Sequence, residues 1–470
     1  MKYIKNYMYE LIQGINKKGI YVNAGGVLGL SIIIIFLLHA ASNVEVYPYD
    51  AGAYWELGYV FGLEDFNITN YSNELRGYLY PLLHFILIKL AAVGMGTEQI
   101  NLWIFHSVLY SFAFLILIPR FVEKIFSIKI SYYVRSLFTL ICIYIFKGLI
   151  IYPLSDLPAF IFLLMALDLL FRILEEKMSL IKGGIYSILI GLFLGTAYYI
   201  RPVYLIAIIG FVIIAIYYIV FKKKYSLFCS LFGLLIVAIP QIMINNTHFN
   251  TYSPLIQTQE FYDGQSLYLQ QLTWGLRTQK YETNMDLEAY ENASMSFEDT
   301  IGIRLSAEHG AFTGYFDYLY FVITHIVDVG CIYLKHIFNG MDITYNNAYI
   351  YDLNSNRFIV QLLNYSLIFL GIQGISWYWK NIKWKLSKIL IGILYLLPIC
   401  LVIPTAVETR FFIGLHVLFY ILAFIVLQDK GWREMLKEKK IVKTAYYCLF
   451  LLICFLLNAQ TFNCYGFPLW

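Results

Sequence analysis

GYLYPLLHFILIKLAAVG, residues 77–94, is the stretch on which the architecture turns. A crossing here would put the next basic loop outside the membrane, and a segment that dips in and returns would put it inside. Pro81 removes a helix donor, and His84 and Lys89 are costly at membrane depth, so the stretch makes a poor span. After the following apolar run, Leu102 to Pro119, the loop Arg120 to Arg135 carries Arg120, Lys124, Lys129 and Arg135 against the single acid Glu123. Basic residues concentrate in cytoplasmic loops. Residues 77–94 are therefore read as an embedded or re-entrant helix with both ends outside, and 102–119 as the crossing.

Composition supports a membrane setting. Of 470 residues, 60% are hydrophobic, 18% aromatic and 14% charged, against about 25% charged in an ordinary soluble domain. The net charge of +4 is modest, and its basic residues sit in short loops, a mark of topology rather than of nucleic-acid binding. Cys142, Cys229, Cys331, Cys400, Cys448, Cys454 and Cys464 lie mostly inside apolar runs without metal or disulfide spacing, and read as small hydrophobes.

With residues 77–94 held out of the count, the other runs alternate. The segment 1–26, with Lys2, Lys5, Lys17 and Lys18, is cytoplasmic and no cleaved leader, and Val27 to Ala41 crosses outward as an anchor. Runs 102–119, 137–152, 158–174, 184–200, 203–220, 226–243, 358–379, 389–403, 411–427 and 446–457 follow. The expectation is an all-α polytopic protein of 11 spans, N-terminus cytoplasmic and C-terminus outside, with all five internal basic loops inside. It divides into a module at 27–243 that includes the outer loop 43–100, an outer loop at 244–357, and C-terminal spans at 358–470. The loop is too long for a plain connection and should be ordered. Within it, 319–338 reads as an interfacial helix, with a twelfth span as the alternative.

On this count the charges at the outer ends of spans are Asp50, Arg76, Lys147, Asp156, Arg201, Glu408 and Arg410, all on one side. Charge at that depth asks for a reason. Asp50 centres VEVYPYDAGAYWELGY, residues 44–59; as a helix the stretch places Tyr49, Ala53, Leu57 and Val60 on one stripe and Tyr54 four residues from Asp50. Carboxylates beside cations suit transfer from a lipid phosphate: a carboxylate deprotonates the attacking group, and Arg or Lys stabilises the departing phosphate. Lys147 would reach the site by snorkelling. Structural readings stand beside these. Asp50 or Asp156 could cap a helix, Arg76 and Arg201 could anchor at the interface, and Glu408 and Arg410 could simply pair. Asp168 and Arg172 read as an i, i+4 pair on a helix surface. His248, His309, His325 and His336 lack zinc-helix spacing; a divalent ion shared by Asp50 and Asp156 stays open, dependent on the fold bringing them together. No nucleotide-binding motif occurs.

In layout and short motifs the chain resembles the GT-C superfamily of polyprenyl-phosphate-dependent membrane glycosyltransferases, and within it the bacterial protein O-mannosyltransferase and aminoarabinose-transferase type. The likeness is carried by Asp50 and Tyr54 in a DxxxY-like setting, by Arg76 to Pro81 (RGYLYP), by the SDLP turn at Asp156, by Arg201–Pro202, and by the ETRFF turn with Glu408 and Arg410. Gly77 stands where the family often has proline, Tyr at its usual second proline, and Phe411 where tyrosine is common. The resemblance implies transfer, with inversion, of a sugar from a polyprenyl-phosphate donor to a glycan, lipid or protein acceptor at the outer face of a bacterial inner or plasma membrane. Asp50 would be the general base, Arg201, Arg410 and Lys147 would hold the phosphate, Asp156 would support the acceptor or a metal, and Tyr54, Arg76 and Glu408 would line the substrate site. A lipid-linked glycan polymerase or ligase is the alternative, and a lipid-linked sugar flippase ranks last.

Overall fold

The computed structural model of the chain describes residues 24–73, 75–257, 265–285, 294–351, 357–379, 382, 384–438 and 440–466. Most of the cytoplasmic segment expected at 1–26 therefore lies outside the described residues. The chain is mainly helical. Nine described helices are long and apolar enough to cross a membrane: Gly25–Ser42, Glu98–Phe126, Asp156–Glu175, Leu180–Ile200, Pro202–Lys222, Tyr225–Phe249, Phe358–Trp379, Thr409–Gln428 and Lys440–Phe462. Side chains such as Ile33, Leu37, Ile213, Ile216 and Leu456 remain exposed on their outer faces, as a lipid-facing surface requires. The expected count of eleven is not reproduced by length: Tyr132–Ile145 has 14 residues and Leu386–Val402 has 17, the first about 21 Å long against a hydrocarbon core of about 30 Å. The first is cut short where Phe146 leaves helical geometry and the short helix Lys147–Ile151 begins. Leu79–Ala92, within the deciding stretch 77–94, is also only 14 residues long.

The basic loops collect at one end of the bundle. Lys388 Nζ donates to the Ile125 carbonyl at 2.9 Å and to Ser127 Oγ at 2.6 Å. Lys224 Nζ donates to the Ile173 carbonyl at 2.6 Å, and Lys385 pairs with Glu175. The loop after residue 120 thus shares its end with the loops after 172, 222 and 380.

Three sequence expectations need correction. Asp168 is not on a helix surface: it is fully buried, with Arg120 and Arg172 each at 3.5 Å and Lys124 also paired to it. Its helix, Asp156–Glu175, is enclosed on nearly all sides, so the faces that periodicity assigns to a surface lie inside the bundle. The interfacial helix at 319–338 is two helices, Tyr315–Thr324 and Ile326–Met341, bent by 103° at His325. There Thr324 Oγ1 turns back onto the Tyr320 and Phe321 carbonyls, a side-chain bond that favours bending. Finally, the helix holding Asp50 covers only Tyr49–Glu56 and buries Ala51, Gly52 and Tyr54, whereas Tyr49 and Val60 are exposed. Leu57 and Val60 of the expected stripe therefore fall beyond the helix, at its C-cap and in the turn Tyr59–Phe61.

The all-α expectation omitted a small sheet of order β3-β1-β2-β4. Strands β1 (Thr278–Asn284) and β2 (Ser294–Glu298) are antiparallel; β3 (Tyr349–Ile350) lies parallel to β1, and β4 (Tyr465–Gly466) antiparallel to β2. The sheet ties distant pieces together. Tyr281 N–H donates to the Val407 carbonyl at 2.9 Å, Gly148 N–H to that of Asn346 at 2.9 Å, and Ala51 N–H to the Tyr349 hydroxyl at 3.1 Å. Gly148 is required here, because a Cβ would overlap the Ala348 nitrogen.

Beneath the sheet lies a buried polar cluster. Lys280 Nζ meets Glu282 at 3.0 Å, Thr344 Oγ1 at 3.2 Å and Asp342 at 3.4 Å, while Asp342 accepts from Tyr365 at 2.5 Å and Asn458 at 2.6 Å. These partners join β1 to the helices Phe358–Trp379 and Lys440–Phe462. Removing one member of a fully buried pair strands the other charge, at a cost of about 3–5 kcal/mol. Asp342→Ala is therefore expected to lower the melting temperature of the detergent-solubilised protein well below that of a surface control such as Asp317→Ala. Equal melting temperatures would show that the cluster is not a structural clamp.

Candidate functional site

Four helix ends meet beside the sheet, and six of the charged residues singled out above meet with them. Asp50 sits in the first turn of Tyr49–Glu56, Asp156 begins Asp156–Glu175, Arg201 follows Leu180–Ile200, and Arg410 lies in the turn opening Thr409–Gln428. Arg76 Nη2 is 2.6 Å from Asp50 Oδ1, and Arg410 Nη2 is 2.9 Å from Asp50 Oδ2. Arg201 Nη1 is 2.6 Å from Asp156 Oδ1, and Arg410 Nη1 is 3.7 Å from Asp156 Oδ2. Arg410 Nε pairs with Glu408. One guanidinium therefore faces three carboxylates, a task suited to arginine's planar fork of donors.

Local sequence explains this convergence. Gly77 lets the turn after Arg76 press against helix Leu180–Ile200, since a Cβ there would overlap the Tyr199 carbonyl oxygen. The Tyr71 hydroxyl donates to the Arg76 carbonyl at 2.8 Å, and the Arg76 guanidinium lies 5.1 Å over the Tyr54 ring. Asp156 is not the expected N-cap: Ser155 occupies that position and makes no side-chain cap, and the Asp156 carboxylate serves the two arginines. Lys147 does not join the network; among the described residues it makes no hydrogen bond or ion pair, although its neighbour Gly148 lines the adjoining cleft. Phe411, noted in the sequence only as a departure from tyrosine, proves to be a platform, with Arg201 4.7 Å and Arg410 5.6 Å over its ring. Glu282 and Tyr349 also border the site, and both come from strands the sequence does not signal.

The carboxylates differ in availability. Asp50 is 39% exposed and Asp156 only 2%, so a substrate group can reach the first and not the second. Partial burial pushes the Asp50 carboxyl up, but Arg410 and Arg76 outweigh it and hold the group down at about 2. Burial pushes Glu408 up to about 7, with Asp50 and Asp156 adding to the rise and Arg410 opposing it. Lowering the pH through about 7 thus protonates Glu408 and releases its hold on Arg410.

Two narrow clefts flank Arg410. One, of about 20 Å³, has Asp156, Arg201 and Arg410 at its polar end and Phe160, Leu163 and Val402 along its apolar walls. The other, of about 40 Å³, is bordered by Glu282, Thr283, Asn347, Glu408 and Arg410 together with Phe146, Leu149 and Ile343. Compared with protein-family models, with curated proteins and with solved structures, the chain gives no match. The reading of the site therefore rests on its own chemistry. A divalent ion shared by Asp50 and Asp156 does not fit this chemistry. The oxygens that would ligate it face Arg76, Arg201 and Arg410, and the described residues hold no group of three His, Cys, Asp or Glu arranged for a metal.

Proposed function

We propose that the protein is a membrane glycosyltransferase that moves a sugar from a polyprenyl-phosphate donor to an acceptor, at the end of the bundle opposite the basic loops. The observation that carries this reading is Arg410, shared by two clefts, one running from the arginines to Phe160, Leu163 and Val402 and the other bordered by Glu282, Asn347 and Glu408. The donor phosphate would sit on Arg201 and Arg410, with its prenyl chain parting the apolar walls of the first cleft; arginine's fork suits phosphate oxygens. The acceptor would approach from the second cleft, which carries Glu282, Asn347 and Glu408, and from Asp50.

The paired state suggests the order of events. With both oxygens held by guanidinium groups, Asp50 is a weak base. A donor phosphate drawing Arg410 onto itself would free one Asp50 oxygen and raise its affinity for a proton. Asp50 then takes the proton from the acceptor hydroxyl or amine, whose oxygen or nitrogen attacks the anomeric carbon. The bond from that carbon to the phosphate oxygen breaks, and the electron pair leaves with polyprenyl phosphate, stabilised by Arg201 and Arg410. Attack opposite the leaving group inverts the anomeric centre. The basic loops would face the cytoplasm and the site the outer side.

The test is direct. Purified protein in lipid vesicles is given synthetic polyprenyl-phosphate sugars together with a membrane extract as acceptor source. The expected result is loss of the sugar–phosphate bond, free polyprenyl phosphate and a glycosylated product. Translocation of intact donor without bond cleavage would overturn the reading in favour of a flippase.

A further inference from the structure

Behind the Asp50 helix lies a buried polar file that the transfer scheme above does not use. It is formed by Tyr80 and His84 on Leu79–Ala92, by His106 and Tyr110 on Glu98–Phe112, and by His39 on Ala24–Ser42, each 2% exposed or less. The Tyr80 and His84 rings are 4.3 Å apart, those of His106 and Tyr110 4.8 Å, and those of His39 and His106 5.4 Å. Nδ1 of His84 is tied to the Tyr54 carbonyl at 3.0 Å and Nδ1 of His106 to the Ile150 carbonyl at 2.9 Å. A carbonyl only accepts, so each Nδ1 carries the proton and each Nε2 presents a lone pair. Yet among the described residues Nε2 of His39, His84 and His106 makes no aligned hydrogen bond, and neither do the hydroxyls of Tyr80 and Tyr110, which face each other.

Buried polar groups are nearly always satisfied, and five polar atoms without an aligned hydrogen bond in one cluster call for a shared polar occupant. Acceptor nitrogens interleaved with hydroxyl donors suit small molecules that both donate and accept, which is the character of water. The file has two ends. At the inner end Tyr54, one helical turn from Asp50, packs edge-on against Tyr80 at 5.2 Å, and the Asp156 oxygens lack an aligned hydrogen bond. At the outer end the Trp55 ring lies 5.4 Å from His84 and 5.5 Å from Tyr47, and both aromatics line an open cleft of about 400 Å³ with Glu45, Glu56 and Glu98.

We propose that Tyr80, His84, His106, Tyr110 and His39 hold a file of ordered waters that carries the proton from the reaction centre to the acidic outer cleft. This role rests on the transfer reading above. The proton that Asp50 takes from the acceptor passes to the adjacent water, and successive O–H bonds form and break along the file. Glu98 receives a proton at the mouth and releases it to solvent, leaving Asp50 ionised for the next turnover. The His84 and His106 imidazoles accept through Nε2 alone, because Nδ1–H stays on its carbonyl; they position water rather than pass the proton through the ring. Tyr80 and Tyr110 are positioning residues in the same sense.

Three measurements test the proposal. Hydroxyl-radical footprinting of the purified wild type, which marks side chains beside ordered water, is expected to label Tyr80 and Tyr110 despite their burial. Tyr80→Phe and Tyr110→Phe are expected to lower kcat about a hundredfold with KM unchanged and with a larger solvent deuterium effect. Their melting temperatures should not rise, whereas removing a dry, unsatisfied hydroxyl would raise them. Absent labelling, raised melting temperatures or an unchanged kcat each overturn the proposal. A wild type that transfers no sugar overturns the functional reading and the proton-carrying role with it, while the footprint still decides whether the file is hydrated.

Discussion

Arg410→Lys is expected to lower kcat about a thousandfold, the largest loss among the arginines, while the protein still folds. Removing one preorganised donor from a developing oxyanion costs about 10²–10³, and Arg410 does more than one donor's work. Its Nε and both terminal nitrogens face Glu408, Asp50 and Asp156. A lysine keeps the charge but is a single point on a flexible stem, so it would hold at most one of these carboxylates and could not face both clefts. The fold should survive, because Asp50 keeps Arg76 and Asp156 keeps Arg201. Arg76→Lys is the internal comparison. Arg76 touches Asp50 but does not line the amphipathic cleft, so its loss should be about tenfold, closer to the value of one charge-assisted hydrogen bond. Steady-state transfer by the three proteins, with elution profiles to establish folding, checks this. Arg410→Lys retaining a tenth of wild-type activity would end the role assigned to it.

Why can this arginine be picked out from the chain alone, when the sheet beside it cannot? Charges at the apolar-run boundaries are rare, and those without a basic-loop explanation are rarer still, so depth along the helices is enough to gather Asp50, Asp156, Arg201 and Arg410. Depth does not give azimuth. Lys147 lies at the right depth, but the break at Phe146 resets the rotation of the helix Lys147–Ile151, and Gly148 lines the cleft instead. For Asp168 the failure is of the opposite kind: periodicity identifies a polar face but not whether that face looks out of the bundle or into it. The sheet is invisible for a third reason. TQKYETN shows no apolar alternation, because β1 buries Lys280 against Asp342 and Glu282 rather than a hydrophobic stripe, and pattern reading depends on that stripe. The three hydrogen bonds that bring residues 51, 148 and 407 to the sheet come from such polar segments. The position of Asp50 against Arg410 therefore depends on contacts about 300 residues apart in sequence.

The second large effect concerns Asp50 itself. Asp50→Asn is expected to cut kcat by about 10³, within the usual range of 10²–10⁴ for losing a general base, with donor affinity unchanged or improved. The direction of the affinity effect comes from the pairing. In the wild type a phosphate must compete with the Asp50 carboxylate for Arg76 and Arg410, and the amide, being uncharged, competes less. A purely structural Asp50 predicts a different result. Its ionised form is stabilised in the fold, with the carboxyl held at about 2 against an ordinary 3.8. That contribution is therefore present above about 3.8 and fades only as the pH falls through about 2, so at neutral pH the asparagine variant would lose stability and donor binding would suffer with it. The two roles separate in one experiment at neutral pH, with donor binding by calorimetry set beside single-turnover transfer. Tight binding with slow transfer identifies the base; weakened binding with transfer otherwise normal per bound donor identifies a scaffold and removes Asp50 from the chemistry.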